Sequence, residues 1–182
     1  MKKPITPFFL LPVLLLLLIP STSHPFNLTL TNAPTQVYFS PQGGCTEAII
    51  QQIGKAKTEI LVKAYSFTSQ PIAKALLGAH KRGVKIQVIL DKSQKSQKYT
   101  SAAFLANVGI PTYIDSAHAI AHNKVMVIDR ETVITGSFNF TKAAEEKNAE
   151  NVLIIKSKDL AKPYIENWNQ HKGHSEPYQA RY

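Results

Sequence analysis

The chain has 182 residues, which suits one domain with a single sizeable core and leaves little room for a second. Its 21 Lys and Arg against 12 Asp and Glu give a formal charge of +9, so it should attract polyanions, although charge alone does not separate DNA, RNA and an anionic lipid surface. A single cysteine, Cys45, excludes an intrachain disulfide framework and reads as a small buried thiol behind the turn Gly43-Gly44.

Lys2 and Lys3 precede an apolar run from Phe8 to Ile19, broken only by Pro12, and Ser21, Thr22 and Ser23 follow it. This is the layout of a secretory signal peptide. The run is shorter than the roughly 20 apolar residues a membrane-spanning helix needs. Residues 1–23 are therefore expected to be cleaved, leaving a periplasmic or secreted chain that begins near His24 and has no stable membrane association. Residues 24–35 read as a polar leader, 36–172 as the folded domain and 173–182 as a C-terminal tail.

Val37-Tyr38-Phe39 reads as a short strand and Ser40 to Gly44 as a turn. Ala48, Ile49, Ile53 and Ala56 recur at helical spacing, and Ile60-Leu61-Val62 then marks a buried strand. The alternation repeats, with a helix through Ile72, Ala75, Leu76 and Ala79 ending near Gly83, and a strand from Val84 to Leu90. The lysine-rich stretch Lys92 to Lys98 is either a phosphate-facing segment or a solvated loop. A helical stretch with Phe104, Leu105 and Val108 follows, then strands at Thr112 to Ile114 and Val152 to Ile155, and a last helix near Asp159 to His171 that Trp168 packs onto the sheet. Such alternation predicts an α/β fold of one domain, with a mixed, largely parallel sheet flanked by helices on both faces.

Chemistry concentrates between His122 and Asn151. His122 and Lys124 are two apart, so on a strand they share a face while Val125 and Val127 take the other. Asp129 to Thr132 is a plausible hairpin turn, after which Val133 to Asn139 returns beside the first strand and brings Ser137 and Asn139 toward His122. Glu150 and Asn151 open the next strand. Alone, His122 would more often be a structural histidine, Lys124 a solvated strand residue and Gly136 a bend. Their joint spacing argues for a shared pocket. His171 and His174 read as part of a frayed, solvated end with at most weak metal affinity.

His122, Lys124, Asp129, Gly136, Ser137 and Asn139 match the HxK(x4)D(x6)GSxN pattern of the phospholipase D superfamily. Glu-Lys-Asn-Ala-Glu-Asn ending at Asn151, with Tyr38 to Pro41, Ala64 to Thr68 and Val88 to Asp91, is similar to the single-motif bacterial endonucleases of the Nuc type. The resemblance runs from about Thr35 to about His171. It implies catalysis by His122, Lys124, Asn139 and Glu150, with Lys124, Asn139 and Ser137 binding phosphate and Asp129, Gly136 and Ser66 in structural support. It further implies a homodimer in which two copies of His122 meet, one forming a phosphohistidine and the other serving as general acid, without metal or other cofactor. The expected activity is nonspecific cleavage of DNA, with RNA as a second substrate. A phospholipase and a noncatalytic nucleic-acid-binding protein are the alternatives.

Overall fold

The computed structural model describes residues 25–97 and 100–179. The expected signal peptide, Lys98 of the lysine-rich stretch and the last three residues lie outside them. The elements run in the order β1 (Thr35–Ser40), α1 (Cys45–Lys55), β2 (Glu59–Ala64), α2 (Gln70–Lys81), β3 (Lys85–Asp91), a 3-10 turn (Lys92–Lys95), α3 (Ala102–Asn107), β4 (Thr112–Asp115), β5 (Lys124–Ile128), β6 (Thr132–Gly136), α4 (Lys142–Glu146), β7 (Glu150–Lys156), α5 (Lys158–His174) and β8 (Glu176–Pro177). No helix among the described residues is long and apolar enough to cross a membrane.

Local chemistry sets these boundaries. Ser69 accepts from Ile72 N to cap α2, Pro71 occupies its first turn, and Ile72, Ala73, Leu76 and Ala79 form its buried stripe. At the start of α1 the preceding residue is Gly44, which has no side chain to cap with. Glu145, from α4, does so from a distance by accepting from Gly44 N at 3.0 Å and Thr46 N at 2.6 Å. A carboxylate at a helix N-terminus also meets the positive end of its dipole.

The strands form one sheet in the order β1-β7-β6-β5-β2-β3-β4-β8. This corrects the expectation of a largely parallel sheet. Only β2–β3 and β3–β4 pair in parallel, whereas β1–β7, β7–β6, β6–β5, β5–β2 and β4–β8 are antiparallel. Two crossovers, through α2 and through α3, give the parallel pairs; β5, β6 and β7 follow one another through short connections and can only meander. β1 crosses to the far edge of the sheet and pairs with β7, not with β2, the strand that follows it in sequence.

Helices cover both faces, as expected. The larger core lies between the sheet and α1, α2 and α3 and contains Ile49, Ile53, Val62, Leu76, Val88, Leu90, Met126, Ile134 and Phe138. A smaller one under α5 holds Leu61, Ile89, Val125, Val127, Val133, Ala161, Ile165 and Trp168. Trp168 Nε1 donates to Val62 O at 2.9 Å, which fastens α5 to the sheet as the sequence suggested. Along β5, Val125 and Val127 belong to the α5 side while Met126 and Ile128 belong to the larger core. The period of two then carries Lys124 to the larger-core side of the sheet.

Candidate active site

Strand directions bring the candidate residues to one edge of the sheet. β1, β2, β3, β4 and β6 end there, and β5 and β7 begin there. Lys124 opposes Ala64 across β5 and β2, Gly136 opposes Val152, and Ser40 opposes Glu150.

Lys124 is buried, with 7% of its surface exposed, and its Nζ lies 3.0 Å from His122 Nε2. Burial holds the ammonium below the ordinary lysine value, and the charge of Glu150 works against that shift. An ammonium can only donate, so in this contact Nε2 of His122 is the acceptor. The His122 side chain itself is exposed.

The tyrosine after β2 completes this contact. The Tyr65 ring lies 4.6 Å from the His122 ring at 54°, and Lys124 Nζ stands 5.1 Å from the Tyr65 centroid. Tyr65 N also donates to Asn123 O at 2.7 Å, which ties the end of β2 to the residue between His122 and Lys124. Sequence reasoning gave Tyr65 no role. Its place just past the strand that pairs with β5 is the signal that could have found it. Ser66 beside it is half-buried.

On the returning strand, Gly136 has φ 145°, and a Cβ there would sit 2.2 Å from Asn151 O, so glycine is required. Ser137 is exposed, and its Oγ accepts from Asn151 N at 3.1 Å and from Asn151 Nδ2 at 3.3 Å. The hydroxyl proton remains available to an anion. Asn139 Oδ1 is buried without a hydrogen-bond partner, a condition that costs about 1–3 kcal/mol and is tolerated where function demands it. Glu150 accepts from Asn148 Nδ2 at 3.1 Å. No hydrogen bond joins it to the His122 ring of the same chain, and its influence on the site is electrostatic, through Lys124.

Asp129 lies at the other end of β5, away from this edge. Its carboxylate accepts from the backbone N–H of Lys57, Thr58 and Glu59 and from Thr58 Oγ1, at 2.8 to 3.2 Å. Burial alone would raise its pKa, but these donors outweigh burial and hold it below the ordinary carboxylate value. Asp91, quoted for its resemblance alone, fastens the approach to His122: its Oδ2 accepts from Ala121 N at 2.7 Å and its Oδ1 from Ser93 N at 2.9 Å.

His171 and His174 are not frayed. They form the last turn of α5 and meet Asp115 and His118, a group that sequence reasoning did not assemble. The pairs Asp115/His118 and His171/His174, each three apart, were the available signal.

Residues 49–172 match the family model described as cardiolipin synthase, PLD-like domain. A phospholipase D of Rickettsia felis is 43% identical over 154 residues, covering 84% of this chain and 76% of the relative. Among solved structures, the phospholipase D family member Nuc from Salmonella typhimurium superposes with TM-score 0.78 at 41% identity, covering 81% of this chain and 99% of that one. NucT from Helicobacter pylori shares the fold, with TM-score 0.73 at 22% identity over 80% of this chain and 99% of that one. With two-thirds of its length inside the family model and its HxK segment delivered to the ends of the central strands, the chain belongs to the phospholipase D superfamily, where it stands beside the single-motif bacterial members of the Nuc type.

Proposed function

We propose that the chain is an exported phosphodiesterase that cleaves nucleic acid without sequence preference through a phosphohistidine on His122. The observation that carries this reading is the Lys124 ammonium 3.0 Å from Nε2 of an exposed imidazole. A nucleophile and the positive charge that neutralises a phosphate's nonbridging oxygens are thereby held side by side.

In the first step the lone pair of His122 Nε2 forms a bond to phosphorus as the P–O bond to the leaving sugar oxygen breaks. The imidazolium of a second copy's His122 gives that oxygen its proton. In the second step the same imidazole, now neutral, takes a proton from water, whose oxygen attacks phosphorus and breaks the P–N bond. Lys124 turns its protons to the phosphate in both steps, and Ser137 and the Asn139 amide donate to it. Glu150 favours the charged states of the site. Asp129, Gly136 and Ser66 support the fold around it.

One histidine cannot be both nucleophile and acid in one step, so a homodimer with isologous symmetry is part of the proposal. Ile120, two residues before His122, is 58% exposed, and apolar surface beside an exposed imidazole suits a facing copy. The excess of Lys and Arg over Asp and Glu, which persists without Lys2 and Lys3, supports DNA as the substrate, with RNA as a second one, through phosphate contacts that carry no sequence information. A second reading, hydrolysis of a phospholipid headgroup, is supported by the 43% identical relative named as a phospholipase D.

Purified protein and His122→Ala, each incubated in EDTA with plasmid DNA and with phosphatidylcholine vesicles, separate these readings. Nicking by the wild type alone is expected. Lipid turnover with intact plasmid would select the phospholipase, and inactivity toward both would leave a binding protein.

A further inference from the structure

On the α5 side of the sheet, three imidazoles converge on one buried carboxylate. Asp115 ends β4 and is fully buried; His118 lies on the loop that follows it, and His171 and His174 sit on the last turn of α5. Asp115 Oδ2 is 3.0 Å from His118 Nδ1, 2.6 Å from His171 Nδ1 and 3.4 Å from His174 Nε2. One ligand atom from each of the four residues lies within 4.8 Å of all the others. The ring centroids are 4.7, 5.1 and 5.3 Å apart, so the imidazoles crowd around a common point.

We propose that Asp115, His118, His171 and His174 bind one divalent late first-row transition-metal ion of the zinc type. Zinc bonds of about 2.0–2.1 Å in a tetrahedron place neighbouring donors roughly 3.3 Å apart, so binding would draw in donor atoms that now lie 2.6 to 3.4 Å from Asp115 Oδ2 and within 4.8 Å of one another. Three imidazoles and a carboxylate form a donor set that favours zinc and its neighbours over calcium or magnesium. Four protein ligands close the coordination shell, which is the form of a structural site. The ion joins the end of α5 to the loop that leads to His122, since His118 is four residues before it. It lies on the opposite side of the sheet from Lys124, and the proposal is independent of the reading given for His122.

The alternative is a hydrogen-bonded cluster in which Asp115 accepts from the imidazoles. Zinc chloride titrated calorimetrically into the purified protein, stripped with chelator and desalted, distinguishes the two. The expected result is saturation at one ion per chain, a melting temperature raised by zinc, and visible absorption characteristic of a tetrahedral site when cobalt(II) replaces zinc. His118 and His174 are substantially exposed, at 45% and 37%, so their alanine variants should fold. His118→Ala and His174→Ala should each weaken zinc binding by more than about tenfold and abolish the thermal shift, while His122→Ala retains both. Absence of saturable binding would overturn the proposal, as would binding that survives in His118→Ala and His174→Ala.

Discussion

Asp91 and Asp115 are register partners at the ends of two parallel strands, and between them they hold both ends of the segment that delivers His122. Asp115 Oδ1 accepts from Ala117 N at 3.1 Å near the start of that segment, and Asp91 Oδ2 accepts from Ala121 N at 2.7 Å, one residue before the imidazole. A loop that would otherwise cost conformational entropy to order is pinned by two carboxylates on the rigid sheet.

Asp91 is therefore a positioning residue. Asp91→Ala should lower kcat for plasmid nicking by roughly ten- to hundredfold through displacement of His122, with KM for DNA little changed. Stability should fall by roughly 1–3 kcal/mol, because the buried N–H of Ala121 loses its acceptor. Steady-state nicking with chemical denaturation measures both, and an unchanged kcat would remove Asp91 from this role.

Lys124→Met keeps the length of the side chain and removes its charge. The loss should appear in kcat/KM, by roughly 10²–10³-fold, while the melting temperature holds or rises because a buried ammonium carries a desolvation cost. Lys124→Arg should not restore activity, since the broader guanidinium cannot occupy the same buried position beside His122.

The part of the site that the sequence reveals is the part that obeys local periodicity. Lys124 on one face of β5, Val125 and Val127 on the other, and the return through Gly136 follow from the period of two and a short turn, whereas His122 lies two residues ahead of the strand and meets Lys124 from a loop. Which strands pair is a nonlocal choice. The helix–strand alternation around α1 is the same whether β1 lies beside β2 or beside β7, so parallel pairing was overestimated. The Asp115 cluster spans a separation of 59 residues, and only the folding of α5 across β4 closes it.

Asp129→Asn should cost roughly 2 kcal/mol of stability near neutral pH, since a charged acceptor of several N–H groups becomes a neutral one. The Asp129 carboxyl titrates lower in the folded protein than in the unfolded chain. Its contribution is thus fully present above the unfolded value of about 3.9 and is lost as pH falls through the folded one. Urea unfolding should show a gap between wild type and variant that is constant from neutrality to about pH 5 and closes in stronger acid.

Gly136→Ala forces a Cβ against Asn151 O at a positive φ. Backbone strain alone should cost roughly 1–3 kcal/mol, and the displacement of Asn151 should disturb its bonds to Ser137. A lower melting temperature together with weaker phosphate binding is the expected outcome, measured by thermal unfolding and by inhibition of nicking with inorganic phosphate.

On this mechanism His122 becomes covalently attached to phosphorus during turnover. Protein quenched with denaturant while cleaving a labelled oligonucleotide, then digested and analysed by mass spectrometry, should carry the adduct on His122 as an acid-labile, alkali-stable phosphoramidate. Full turnover with no such adduct, or cleavage sustained by His122→Ala, would contradict it.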